Sequence, residues 1–204
     1  ALFCMEFESV GIIFSPALLP CYLSSFTAST VAGRMGVHAE GLILSSYAGI
    51  SPAATAACGV LAVCIALLGV LMCKFFHAAE HLAAHHVKSP CVRIFAGGVL
   101  IAAMTYAVGD HRFNGAGMDM ALGAIEGQGQ WYYFLLKMLF TAVTLAAGFK
   151  GGEIVPTFCI GATFGMTVGS LLGLEAELAA ALGLVGLFCC ATNSPLASII
   201  LSVE

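Results

Sequence analysis

The stretch best suited to hold an ion is Gly151-Gly152-Glu153-Ile154-Val155-Pro156-Thr157. Pro156 fits the first turn of a helix, where its missing N–H costs nothing. The N–H groups just before and around it then lack an intrahelical partner and carry the positive end of the helix dipole. Such an end binds anions in water, and inside a membrane it is one of few ways to hold one. Glu153 is the odd member, a carboxylate placed where an anion would sit. The residues alone leave two readings open. Glu153 is a first-turn acid complementing the dipole at the membrane surface, or the N–H groups of Glu153 and Ile154 face a bound anion.

Other residues could do chemistry too. His77, Glu80 and His81 match the H-x-x-E-H pattern of some zinc proteases, and His85 extends the face by a turn. They also lie where an apolar helix runs out into water beside Lys74 and Lys88, where polar residues are needed in any case, and so short a pattern recurs by chance. Asn193-Ser194-Pro195 has the make-up of a helix cap; Asn193 and Ser194, like Asn114, are candidates for a polar pore lining. Glu6 and Glu204 each end an apolar stretch, and a carboxylate within a span invites a functional reading as well as an interfacial one. Lys137 follows an aromatic anchor by a turn and is expected to snorkel to the interface. Lys150 would add positive potential near the glycine pair or simply be solvated.

These residues are positioned by apolar helices. The 204-residue chain is 60% hydrophobic and 9% charged, against about a quarter charged in soluble domains, which makes it an integral membrane protein. The long apolar runs lack the alternation of a barrel. Seven basic residues and a net charge of −4 give no reason to expect nucleic acid. Nine cysteines form no C-x-x-C pair and read as small buried hydrophobes. No signal peptide is visible, and the opening residues already read as mid-helix, so the chain is expected to be part of a longer protein.

In order, Pro16 and Pro20 are expected to split residues 1–33 into two helices, and 41–51 to form a short tilted one. Pro52 opens a helix to about Lys88, roughly 37 residues or about 55 Å, longer than a bilayer's apolar core of about 30 Å. Lys74, Lys88 and Arg93 put its far end on the cytoplasmic side. The segment 94–109 returns across the membrane to a polar connection, Asp110–Gly115. A short amphipathic helix is expected over 116–127, a turn at Gln128–Gln130, and a helix from Trp131-Tyr132-Tyr133 to Ala147. The run 178–203 is broken at Thr192–Pro195. Interrupted spans and 24 glycines suit a transporter or channel whose helix ends line a cavity.

The assembled motifs resemble the CLC family of chloride channels and proton-coupled anion exchangers. Gly152-Glu153-Ile154-Val155-Pro156 occupies that family's G-x-F-x-P motif, and Leu135–Gly152 resembles the helix leading into it. Thr192–Glu204 resembles its A-P-L-x-x-I-I-L-x-x-E segment. The resemblance implies an all-α membrane fold, a bundle of tilted and broken helices forming part of an inverted-repeat architecture. Ala1–Glu6 parallels Ile199–Glu204, which places 1–50 at the end of the first repeat and 51–204 over most of the second, as one transmembrane segment. The family's first anion loop, gating glutamate and central tyrosine would fall outside it.

The departures from the chloride pattern point to one branch. Glu153 stands where chloride members have an apolar residue, and Ile154 where they have Phe. A glutamate there, the F-K-G-G-E-like lead and Asn114-Gly115-Ala116-Gly117-Met118-Asp119 resemble the fluoride/proton antiporters. The resemblance implies fluoride export coupled to proton entry by a homodimer in the plasma (inner) membrane. It assigns anion binding to Gly152, Glu153, Ile154, Val155, Pro156 and Thr157, proton coupling and selectivity to Glu153, and implies no cofactor, metal or enzymatic activity. A chloride channel or chloride/proton exchanger is the alternative, and a membrane zinc protease using His77, Glu80 and His81 a distant one.

Overall fold

Apolar runs in a bilayer must close their backbone hydrogen bonds within themselves, and here they do so as helices. The computed structural model describes residues 3, 18–36 and 51–203; Glu6, Pro16, residues 41–50 and Glu204 lie outside the described residues. In chain order the helices are α1 (Leu18–Arg34), α2 (Pro52–His86), α3 (Pro90–Val108), α4 (Met118–Ile125), α5 (Tyr133–Ala147), α6 (Ile154–Leu171), α7 (Ala176–Thr192) and α8 (Pro195–Leu201). No strand occurs among the described residues. The chain divides into two units, residues 1–47 with 192–204, and residues 48–191.

In the first unit Pro20 falls in the first turn of α1, where it is tolerated, so it does not break that helix. Asn193 takes a left-handed φ of 52° immediately before α8, a conformation asparagine adopts more readily than most residues.

In the second unit, proline and capping residues set the helix starts. Ser51 caps α2, its Oγ accepting from Ala54 N–H at 3.1 Å, with Pro52 as the first helical residue. The helix ends at His86, two residues before the expected Lys88, because Val87 and Ser89 turn extended ahead of Pro90. Pro90 in turn starts α3 a turn earlier than expected. Helices α2, α3 and α6 are each long and apolar enough to cross a membrane, and α5 and α7 are shorter apolar helices.

Helix α5 packs against α2, α3 and α6, and α6 also packs against α2 and α4. Helix α2 gives the core a single stripe, Leu61, Ile65, Leu68, Met72 and Phe76, at the three- and four-residue spacing of one helical face. Val63, Leu67, Val70 and Leu71 on its other side are exposed, as a lipid-facing surface requires. The α6–α7 contact is closer than any side chain would permit. A Cβ on Gly161 would lie 2.4 Å from the Gly183 oxygen, and one on Gly165 2.2 Å from the Ala179 oxygen. Small residues at four-residue spacing let membrane helices approach this far. Not every cysteine is buried: Cys159 is, whereas Cys91 and Cys190 lie on the surface.

A cavity at the start of α6

Gly148 ends α5 in the left-handed region (φ 88°), its N–H donating to Leu145 O at 2.8 Å. The chain then passes Phe149 and the glycine pair to Glu153, which occupies the N-cap of α6 with helical φ and ψ. The first backbone bond of this helix runs from Thr157 N–H to Glu153 O at 3.0 Å. The N–H groups of Ile154 and Val155 therefore precede the helical ladder. The Thr157 hydroxyl also donates to Glu153 O, at 2.7 Å, so it is spent inside the helix. The Glu153 side chain is exposed, makes no capping hydrogen bond, and lies within electrostatic range of the Cys73 thiol. Open space surrounds Gly151 and Gly152. The Arg93 guanidinium lies over Gly148, its Nη2 3.3 Å from where a Cβ would stand, and its buried Nε has no hydrogen-bond partner among the described residues.

A cavity of about 530 Å³ opens beside this turn. Gly151, Gly152, Val155 and Pro156 form one wall, and Phe113 to Ala116 another. Helix α5 supplies Lys137, Phe140, Thr141 and Thr144, and α3 supplies Ile101. The cavity thus brings together Gly152, Val155, Pro156 and Asn114 from the sequence-derived set. Glu153, Ile154 and Thr157 are not among its lining residues.

The polar groups on these walls are unequal. Thr141 and Thr144 donate their hydroxyls back to Lys137 O and Phe140 O, each at 2.8 Å, and so offer the cavity lone pairs rather than protons. The Thr105 hydroxyl lies 2.8 Å from Ile101 O and 3.0 Å from Asn114 Oδ1, with one hydrogen to share between them. That contact holds one end of the Asn114 amide and leaves the other available.

Lys137 does not snorkel. It is 1% exposed, and its ammonium donates to Phe113 O at 3.1 Å and Gly115 O at 2.7 Å. Gly115 (φ 70°) and Gly117 (φ 85°) curl the loop around it, and a Cβ on Gly117 would sit 2.9 Å from Nζ. The interface offers a lysine water, but these carbonyls and the helix packing hold this one inside. The signal that could have revealed it is a polar stripe at helical spacing, Lys137, Thr141 and Thr144, facing away from lipid.

The remaining sequence candidates lie elsewhere. Asn193 and Ser194 belong to the first unit. Ser194 stands at the N-cap of α8 but does not cap it; its hydroxyl is hydrogen-bonded to that of Thr192. His77, Glu80 and His81 are exposed near the end of α2. Among the described residues no three His, Cys, Asp or Glu side chains come together as metal ligands would, so the zinc-protease pattern finds no third ligand there.

The sequence profile for the voltage gated chloride channel family matches residues 1–204. The chain belongs to that family. A chloride/fluoride channel protein of Pseudomonas syringae pv. tomato (strain ATCC BAA-871 / DC3000) is 30% identical over 210 residues, 100% of this chain and 46% of that protein. An uncharacterized protein of Methanocaldococcus jannaschii is 31% identical over 122 residues, 58% of this chain and 31% of its own length. The crystal structure of a CLC-type fluoride/proton antiporter superposes with a TM-score of 0.94 at 28% identity, over 100% of this chain and 52% of that one. The chain therefore has the CLC antiporter fold, is an integral membrane protein, and spans about half the length of the Pseudomonas protein and of the antiporter.

Proposed function

We propose that this chain forms part of a CLC-type transporter that exports fluoride in exchange for protons, acting as a homodimer in the plasma membrane. The carrying observation is Glu153: it is the N-cap residue of α6, next in the chain to the cavity-lining Gly151 and Gly152, and helix capping does not use its carboxylate. The resemblance of the F-K-G-G-E stretch to the fluoride branch and the fold shared with a fluoride/proton antiporter support the same reading. Fluoride is small and strongly hydrated, so a dry site must replace its water with strong donors. A carboxyl group protonated in a low-dielectric site can donate one hydrogen bond to fluoride and carry one proton. The N–H groups ahead of the α6 ladder supply further donors. In this reading Gly152, Glu153, Ile154, Val155, Pro156 and Thr157 form the anion-binding turn, with Glu153 coupling the proton.

Glu153→Gln and Glu153→Ile in the full-length protein, reconstituted in liposomes, test this. The expected result is a fall of at least tenfold in fluoride-over-chloride selectivity and loss of fluoride-driven proton uptake. Unchanged selectivity and coupling in both variants would sink the proposal.

A second reading follows from the relative described as a chloride/fluoride channel: passive conduction of either anion. Under an imposed fluoride gradient, antiport drives protons uphill and a channel does not.

A further inference from the structure

Lys137 is a buried cation, and among the described residues no carboxylate pairs with it. Among the described residues the ion pair is Arg112–Asp110, and it does not include Lys137. An ammonium has three N–H donors; two are spent on Phe113 O and Gly115 O, no third hydrogen bond is made among the described residues, and the neutral Cys159 thiol is packed against the same Gly117 as Nζ. Two neutral carbonyls hold such a charge in place without neutralising it, and an unpaired buried charge is strongly unfavourable. The same side chain lines the cavity that Gly152, Val155 and Pro156 bound from the other side.

We propose that the Lys137 ammonium is the fixed counter-charge of the anion path: an anion in this cavity takes its third N–H and completes both the hydrogen bonding and the charge balance of the site. This rests on the anion-transport reading and extends it with a specificity-determining residue that no anion motif contains. The two carbonyl bonds fix Nζ on a side chain that lines the same cavity as the first turn of α6, so a small anion there meets both a full charge and a helix dipole. Lys137 would in that case set how tightly the anion binds, whereas Glu153 sets proton coupling. If Lys137 only tied the Phe113–Gly117 loop to α5, its loss would lower stability and leave anion affinity alone.

Fluoride flux in liposomes containing the full-length protein separates these roles. Lys137→Met is expected to raise the KM for fluoride at least tenfold, with proton-to-fluoride stoichiometry preserved and an unaltered, monodisperse size-exclusion profile. Should that variant not fold, the unsubstituted protein carries the test. With ¹⁵Nζ-lysine labelling and saturating fluoride, ¹⁹F–¹⁵N dipolar recoupling is expected to show the Lys137 nitrogen about 3 Å from fluoride, the length of a charge-assisted hydrogen bond. A wild-type KM in folded Lys137→Met, or no dephasing at Lys137 with fluoride bound, overturns the inference while leaving fluoride transport standing. Absence of fluoride transport by the unsubstituted protein overturns both.

Discussion

At the scale of single residues, the cavity depends on which protons are already committed. Thr141 and Thr144 are spent on their own helix, which leaves Asn114 and Lys137 as the lining side chains with N–H donors to offer. The orientation of Asn114 rests on Thr105, 3.0 Å away. Thr105→Val removes that contact, and a hydrogen bond of about 1 kcal/mol corresponds to roughly a fivefold change in affinity. The KM for fluoride should rise by about that factor in Thr105→Val and stay near wild type in Thr105→Ser; equal values in the two variants would show that Asn114 needs no such support. The glycine pair, Glu153 and Pro156 were legible in the sequence because a helix start is a local event, written in adjacent residues. Lys137 was not. Its partners lie 24 and 22 residues earlier in the chain, and one turn past an aromatic anchor a lysine that snorkels and a lysine that is caged have the same local sequence.

At the scale of elements, α6, whose start borders the cavity, is held to α7 by backbone proximity rather than by water-driven burial, which lipid does not supply. Gly161 and Gly165 on α6 meet Gly183 and Ala179 on α7 with no room for a methyl group. Gly165→Ala would force the pair apart, and overpacking of this kind costs about 1–3 kcal/mol. Gly123 on α4 has open space around its Cβ position, so Gly123→Ala should be neutral or stabilise by up to about 1 kcal/mol. Thermal unfolding in detergent is expected to separate the two variants in opposite directions; a Gly165→Ala protein as stable as wild type would mean that α6 and α7 can slide. Helix starts were readable where Pro52 and Pro195 mark them, whereas Pro90 was expected in a loop and opens α3; glycine content foretold close packing. Which glycines make the contact was not readable, since Gly165 and Gly123 differ only in what the fold brings against them.

At the scale of the whole molecule, the length of α2 fixes how the chain sits in the bilayer. Pro52 to Cys73 carries no charged side chain, and at 1.5 Å per residue covers roughly 33 Å, about the thickness of the apolar core. The remainder, from Lys74 to His86, is therefore expected to leave the hydrocarbon. Its histidines 77, 81, 85 and 86 are all exposed, and by the positive-inside rule Lys74, Lys88 and Arg93 are expected to put this end in the cytoplasm. Arg93 also reaches Gly148, which brings the Phe149–Gly152 turn toward the same side. Helix α3 is long and apolar enough to cross, so Arg112 is expected on the opposite face. Single cysteines in a cysteine-free background of the full-length protein report this arrangement. His85→Cys and Lys150→Cys should react with a membrane-impermeant maleimide in inside-out vesicles, and Arg112→Cys only in right-side-out ones. Labelling of positions 85 and 112 from one side would mean that α3 does not cross. Reversed labelling of all three would invert this orientation, placing the α6 turn and its cavity nearer the outside and reversing the direction of the proposed fluoride path through them.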